Sequence, residues 1–191
     1  MSPTDPAALW SQDHDYIAAS RFAARAHRGQ IEASDNLPYL LHLTWVAMEV
    51  LGALRREPGL DEGLAVRCAL LHDCLEDTPT RLEDLEARFG AATAQGVLAL
   101  TKDATLPKAE QMPDSLRRIR LQPREVWMVK LADRICNLQP PPKHWSKAKA
   151  AKYREEAREI LAQLGEASPY LAARLADKIE GYAAFVEAIP V

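Results

Sequence analysis

The sequence predicts an all-α protein. Apolar residues recur at helical spacing along almost its whole length, no stretch alternates β-branched with polar residues, and Ala, Leu, Glu and Arg dominate the periodic segments. At 191 residues with 48% hydrophobic content, the chain is long enough for one well-buried unit and short for two, so residues 1–191 are read as a single compact helical bundle. The first helix is expected over 13–29, ending at Gly29, and the second over 38–56, between Pro38 and the Pro58–Gly59 pair. A third over 61–77 stops before Pro79, which leaves Thr80 to cap a fourth over 81–89. A further helix is expected over 91–102. The prolines at 140–142 end a helix over 123–138 and form a rigid connector to helices over 146–164 and 168–187.

Composition narrows the function. No window approaches 18 uncharged apolar residues, and the N-terminus has no basic region followed by an apolar core, so neither a membrane span nor a signal peptide is expected and the protein is placed in the cytoplasm. A net charge of −3 argues against general attraction to nucleic acid or to an anionic membrane. The charge is uneven, however: residues 101–158 hold fourteen Lys or Arg against seven Asp or Glu, a balance of +7 that leaves −10 for the rest of the chain. Such a region suits a small polyanion better than a duplex, and solvated helix faces account for it equally well. Cys68, Cys74 and Cys136 lack CxxC spacing and lie within apolar helical patterns, as free core thiols do.

Two helices are apolar nearly all round, the pattern of central helices packed on several sides: "LAVRCALLHDCLED" and "VWMVKLADRICNL". The first carries His72, Asp73, Glu76 and Asp77, with each histidine or aspartate one turn from a carboxylate. The second carries Asp133 on the face of Val126, Val129 and Cys136, where a charge must be paired or bound to a cation. His42 stands in the apolar "PYLLHLTWVAMEV". Two imidazoles (His42, His72) and two carboxylates (Asp73, Asp133) from three helices make a mixed N/O set suited to Mn²⁺, Fe²⁺ or Zn²⁺, without the thiolates of a closed structural zinc site.

These residues lie inside longer strings. "RFAARAHRGQ", "PYLLH", "ALLHDCLEDT", "ARFG", "LTKD" and "VKLADRICNL" resemble, in order and spacing, the successive motifs of the hydrolase domain of RelA/SpoT homologues within the HD superfamily of metal-dependent phosphohydrolases. With no synthetase segment, the chain is similar to stand-alone small alarmone hydrolases, metazoan members included. The resemblance implies hydrolysis of the 3′-pyrophosphate of a purine nucleotide, (p)ppGpp or (p)ppApp, usually with Mn²⁺. It implies His42, His72, Asp73 and Asp133 as metal ligands and Glu76 and Asp77 as the catalytic acidic pair. Asn137 matches a nucleotide-contacting asparagine. Arg28, Lys130 and Arg134 are candidate substrate cations, and His27 is a support for the metal region.

One departure bears on the base: Glu32 and Ala33 stand near the place of a basic pair that contacts the purine in the family, so guanine and adenine both remain open. The segment "QMPDSLRRIRLQPR" is a candidate cover whose arginines either meet phosphates or are simply solvated, and Trp127 and Trp145 are assigned to the core. The expected partner is a small-molecule nucleotide. The alternatives are a phosphatase for another nucleotide 2′- or 3′-phosphate, such as that of NADPH, and a non-catalytic alarmone-binding regulator.

Overall fold

The computed structural model describes residues 6–32 and 36–190, with the side chains of the first helix described from residue 16 onward. Ala33 lies outside the described residues. Ten α-helices follow in order: α1 Pro6–Ala26, α2 Leu40–Leu54, α3 Glu62–Leu71, α4 Cys74–Asp77, α5 Leu82–Phe89, α6 Ala91–Leu100, α7 Lys108–Ile119, α8 Arg124–Asn137, α9 Lys147–Leu164 and α10 Pro169–Ala188. Among the described residues the only extended pairing is an isolated bridge between Ile31 and Pro38.

The local causes are those of ordinary helix chemistry. Asp61, Ser146 and Ser168 cap α3, α9 and α10 by accepting from the amides of Leu64, Lys149 and Leu171. Gly90, at φ 83°, ends α5 and begins α6 in a backbone region that a side chain would strain. Helix α8 packs against α2, α3, α6, α9 and α10, which is why it is apolar on every side. From Val126 to Cys136 only Trp127 is not buried. The three described cysteines are free and buried, and burial pushes each thiol up to about 12.

Four expectations are corrected. The helix expected over 61–77 breaks between α3 and α4, because His72 and Asp73 turn toward a common centre; Asp73 sits at φ −98°, ψ −1°. Thr80 does not cap α5. Arg81 occupies the cap position, and Asp84 reaches back to accept from its amide at 3.1 Å. The segment treated as a cover contains α7, which buries Met112, Ser115, Leu116 and Ile119. Its Arg118 satisfies the carbonyls of Leu98, Ala99 and Thr101 at the end of α6, so the motif punctuated by Pro113 forms a packed helix. Trp145 is half-buried on a cleft wall, set edge-on to Tyr153 at 5.2 Å, and is not in the core.

Candidate metal centre

Three helices bring their polar residues to one point. His42 comes from the first turn of α2, His72 and Asp73 from the α3–α4 break, and Asp133 from the middle of α8. His42 Nε2 lies 3.5 Å from Asp133 Oδ1 and 3.8 Å from Asp73 Oδ2; His72 Nε2 lies 3.0 Å from Asp73 Oδ2 and 3.7 Å from Asp133 Oδ1. Ligand bonds of ~2.1 Å put neighbouring donors about 3.0–3.4 Å apart, so the set needs little movement to close on one ion.

The donor chemistry passes the same test. His72 Nδ1 donates to the Ala69 carbonyl at 2.8 Å, so it is Nε2 that offers a lone pair to a cation once the ring is neutral. The Nε2 atoms of both histidines are buried without a hydrogen-bond partner, a costly arrangement unless a cation satisfies them. His42, His72 and Asp133 are buried, and they form a group whose ligating atoms all lie within 4.8 Å of one another. These residues fit a divalent metal.

Further side chains hold the carboxylates. Tyr39 donates to Asp73 Oδ2 at 2.5 Å, while Lys130 Nζ and Asn137 Nδ2 reach Asp133 at 3.0 and 2.5 Å. Burial opposes ionisation of Asp73, yet the His72 charge holds its carboxyl down at about 2. Burial likewise opposes ionisation of Asp133, and Lys130 and the two imidazoles hold its carboxyl well below the usual range. Burial depresses His72, but the two aspartates outweigh it and hold the ring well above 6.5. A pair of buried carboxylates calls for positive charge here, and a metal ion supplies it without a proton.

Outside this ring the predicted residues separate. Asp77 accepts a long 3.4 Å bond from Gln30 Nε2, and partial desolvation with the Asp73 charge raises its carboxyl. Glu76 is turned to Lys102. Gln30 Oε1 also accepts a hydrogen bond from His27 Nδ1 at 2.7 Å, and the His27 ring stacks on Tyr39, the residue that donates to Asp73. Lys130 serves Asp133 and does not reach the open cleft. Arg134 is buried beneath Tyr153, its guanidinium 4.1 Å from the ring centroid, and therefore stiffens the cleft wall. Arg28 is exposed on the turn after α1. Sequence reasoning assigned no role to Gln30, Tyr39 or Lys102, although all three sit inside the strings "AHRGQ", "PYLLH" and "LTKD".

A cleft of about 880 Å³ opens beside His42 and Asn137. Trp45, Trp145, Tyr153 and Tyr182 face it, Pro140–Pro142 form a stiff edge, and Glu32 and Lys143 add opposite charges. Its size and aromatic lining suit a nucleotide. Through His42, a cluster of two imidazoles and two carboxylates suited to a divalent ion adjoins this cleft.

Comparison with known proteins agrees. The HD-domain model matches residues 19–170, and the chain belongs to the HD-domain family. It is 33% identical over 161 residues to human MESH1, named as a guanosine-3′,5′-bis(diphosphate) 3′-pyrophosphohydrolase, covering 82% of this chain and 88% of that one. It is 35% identical over 123 residues to the Escherichia coli bifunctional (p)ppGpp synthase/hydrolase SpoT, covering 61% of this chain and 16% of the larger protein. A solved structure described as a metazoan ortholog of SpoT that hydrolyses ppGpp superposes with a TM-score of 0.76 at 25% identity, over 87% of this chain and 94% of that one.

Proposed function

We propose that this chain hydrolyses the 3′-pyrophosphate of a purine nucleotide alarmone, (p)ppGpp or (p)ppApp, to pyrophosphate and the nucleotide 5′-di- or triphosphate. The observation that carries the reading is the pair of orphaned imidazole Nε2 atoms facing two carboxylates, one of the pair, His42, also lining a nucleotide-sized cleft. The names of its relatives point to the same reaction.

His42, His72, Asp73 and Asp133 would hold the ion, with Mn²⁺ preferred over Fe²⁺ or Zn²⁺. Bound there, a divalent ion supplies Lewis acidity and a more acidic water. The chain's own groups do the rest. Asp77, held only by a long bond from Gln30, takes the proton of the attacking water. The water oxygen bonds to the phosphorus attached to O3′, the phosphorus–O3′ bond breaks, and O3′ receives the proton that Asp77 accepted from the water. Glu76 orients the reacting groups. Asn137 meets the nucleotide at the cleft edge, where the aromatic rings give its base a surface to stack on.

Anion-exchange analysis of products after incubation with Mn²⁺ and ppGpp, ppApp or NADPH, beside a chelated control, tests this. Chelator-sensitive pyrophosphate from an alarmone is the expected result. Release of phosphate from NADPH alone overturns it in favour of a phosphomonoesterase. Tight alarmone binding without product overturns it in favour of a regulator.

A further inference from the structure

Glu76 is gripped by a single residue from a distant part of the chain. The backbone N–H of Lys102 donates to Glu76 Oε2 at 3.0 Å and its ammonium donates to Oε1 at 2.9 Å. Lys102 lies just after α6, 26 residues along the chain. Both oxygens of the carboxylate are therefore engaged.

An exposed ion pair between two flexible side chains ordinarily contributes little. This pair differs in two ways. One of its donors is a main-chain amide already fixed by the end of α6, so half of the grip needs no side-chain ordering. The element it holds is also short: α4 is a single turn, cut off from α3 by the His72–Asp73 break and anchored by the buried Cys74, and one turn of helix is unstable by itself.

The neighbouring carboxylate is held differently. Asp77 has a 3.4 Å bond from Gln30, and its own amide closes the α4 turn on the Asp73 carbonyl at 2.9 Å. We propose that Lys102 is a positioning residue: by clamping both oxygens of Glu76 it fixes the α4 turn, and it leaves Asp77 as the carboxylate that accepts the proton of the attacking water. The inference rests on the roles given above to Glu76 and Asp77. Displacements of about 1 Å at a reacting group can cost ~10²-fold in rate, which sets the size of the effect.

The test is a double-mutant cycle on the Mn²⁺-loaded protein with ppGpp, combining Lys102→Met and Glu76→Gln. Lys102→Met is expected to lower kcat about 10–100-fold with KM unchanged, Lys102→Arg to recover most of that loss, and Lys102→Met to change kcat less than about twofold in the Glu76→Gln background. A rise in KM at constant kcat, full additivity of the two substitutions, or wild-type rates in Lys102→Met each overturn the proposal. Amide hydrogen exchange on the metal-free protein provides a readout apart from turnover. The Asp77 amide is expected to exchange about tenfold faster in Lys102→Met while α8 stays protected, and unchanged exchange at Asp77 overturns the clamp. If the wild-type protein releases no pyrophosphate, the functional reading fails and the exchange experiment still decides the clamp.

Discussion

The metal centre and the cleft beside it are built on different plans. In the centre, every ligand stands on or next to a helix packed into the core, and His42, His72 and Asp133 are buried. Each of the two aspartates has a further donor on it, Tyr39 for Asp73 and Lys130 and Asn137 for Asp133. The cleft is walled partly by helices, through Trp45, Tyr153 and the buried Tyr182, and partly by the connections that carry Glu32, the three prolines and Trp145. A site that must hold an ion within tenths of an ångström uses rigid helices and second donors. A surface that selects among nucleotides can draw part of its wall from connections, where change costs the fold little.

That contrast is broken most severely at a ligand. Asp73→Ala should abolish stoichiometric Mn²⁺ binding, read by metal analysis of the dialysed protein, and lower turnover by about 10³-fold or more. Glu76→Ala should keep its metal and still lose roughly 10²–10⁴-fold in kcat; equal loss of metal in both variants would erase the division between ligands and acidic pair.

The supporting residues should show a smaller effect of the same kind. Tyr39→Phe removes the hydroxyl that orients Asp73 and should weaken Mn²⁺ about 10–100-fold in a metal titration, with the fold intact by circular dichroism.

The pH dependence follows from His72, whose ring is held well above 6.5 by Asp73 and Asp133 against the effect of burial. A raised histidine stabilises the metal-free fold fully below 6.5 and loses that contribution as pH rises through its folded value. Metal requires the neutral ring, so apparent Mn²⁺ affinity should fall up to about tenfold per pH unit on acidification below that value. The increase in Tm on adding Mn²⁺ should correspondingly grow from pH 6 to pH 8 by scanning calorimetry.

The mildest expected change lies in the cleft. Trp145→Ala should raise KM for ppGpp about 3–10-fold and leave metal content and kcat near wild type, which would confirm that the wall binds and does not react. A fall in kcat with unchanged KM would merge the two regions into one.

How far each region could be read from the chain follows the same division. Polar residues embedded in all-round apolar helices are conspicuous, so His42, His72, Asp73 and Asp133 could be singled out before any geometry existed. Periodicity placed nearly every helix close to its observed bounds. It missed α7, whose Pro113 and arginine-rich face resemble a loop until Arg118 is seen capping α6. It also ran α3 through to residue 77, since the break at His72 carries neither glycine nor proline.

What the sequence by itself determined is the all-helical class, the identity of the central helices and the polar residues that converge between them, because burial and periodicity are local properties with a strong signature. Tertiary structure alone decided that Tyr39 serves Asp73, that Lys102 grips Glu76, that Arg134 lies under Tyr153 and that Trp145 faces a cleft. Each of those contacts joins residues separated by 19 to 34 positions or depends on a cavity enclosed by several elements. No helical period links them, and only the packing of one helix against another sets their distances.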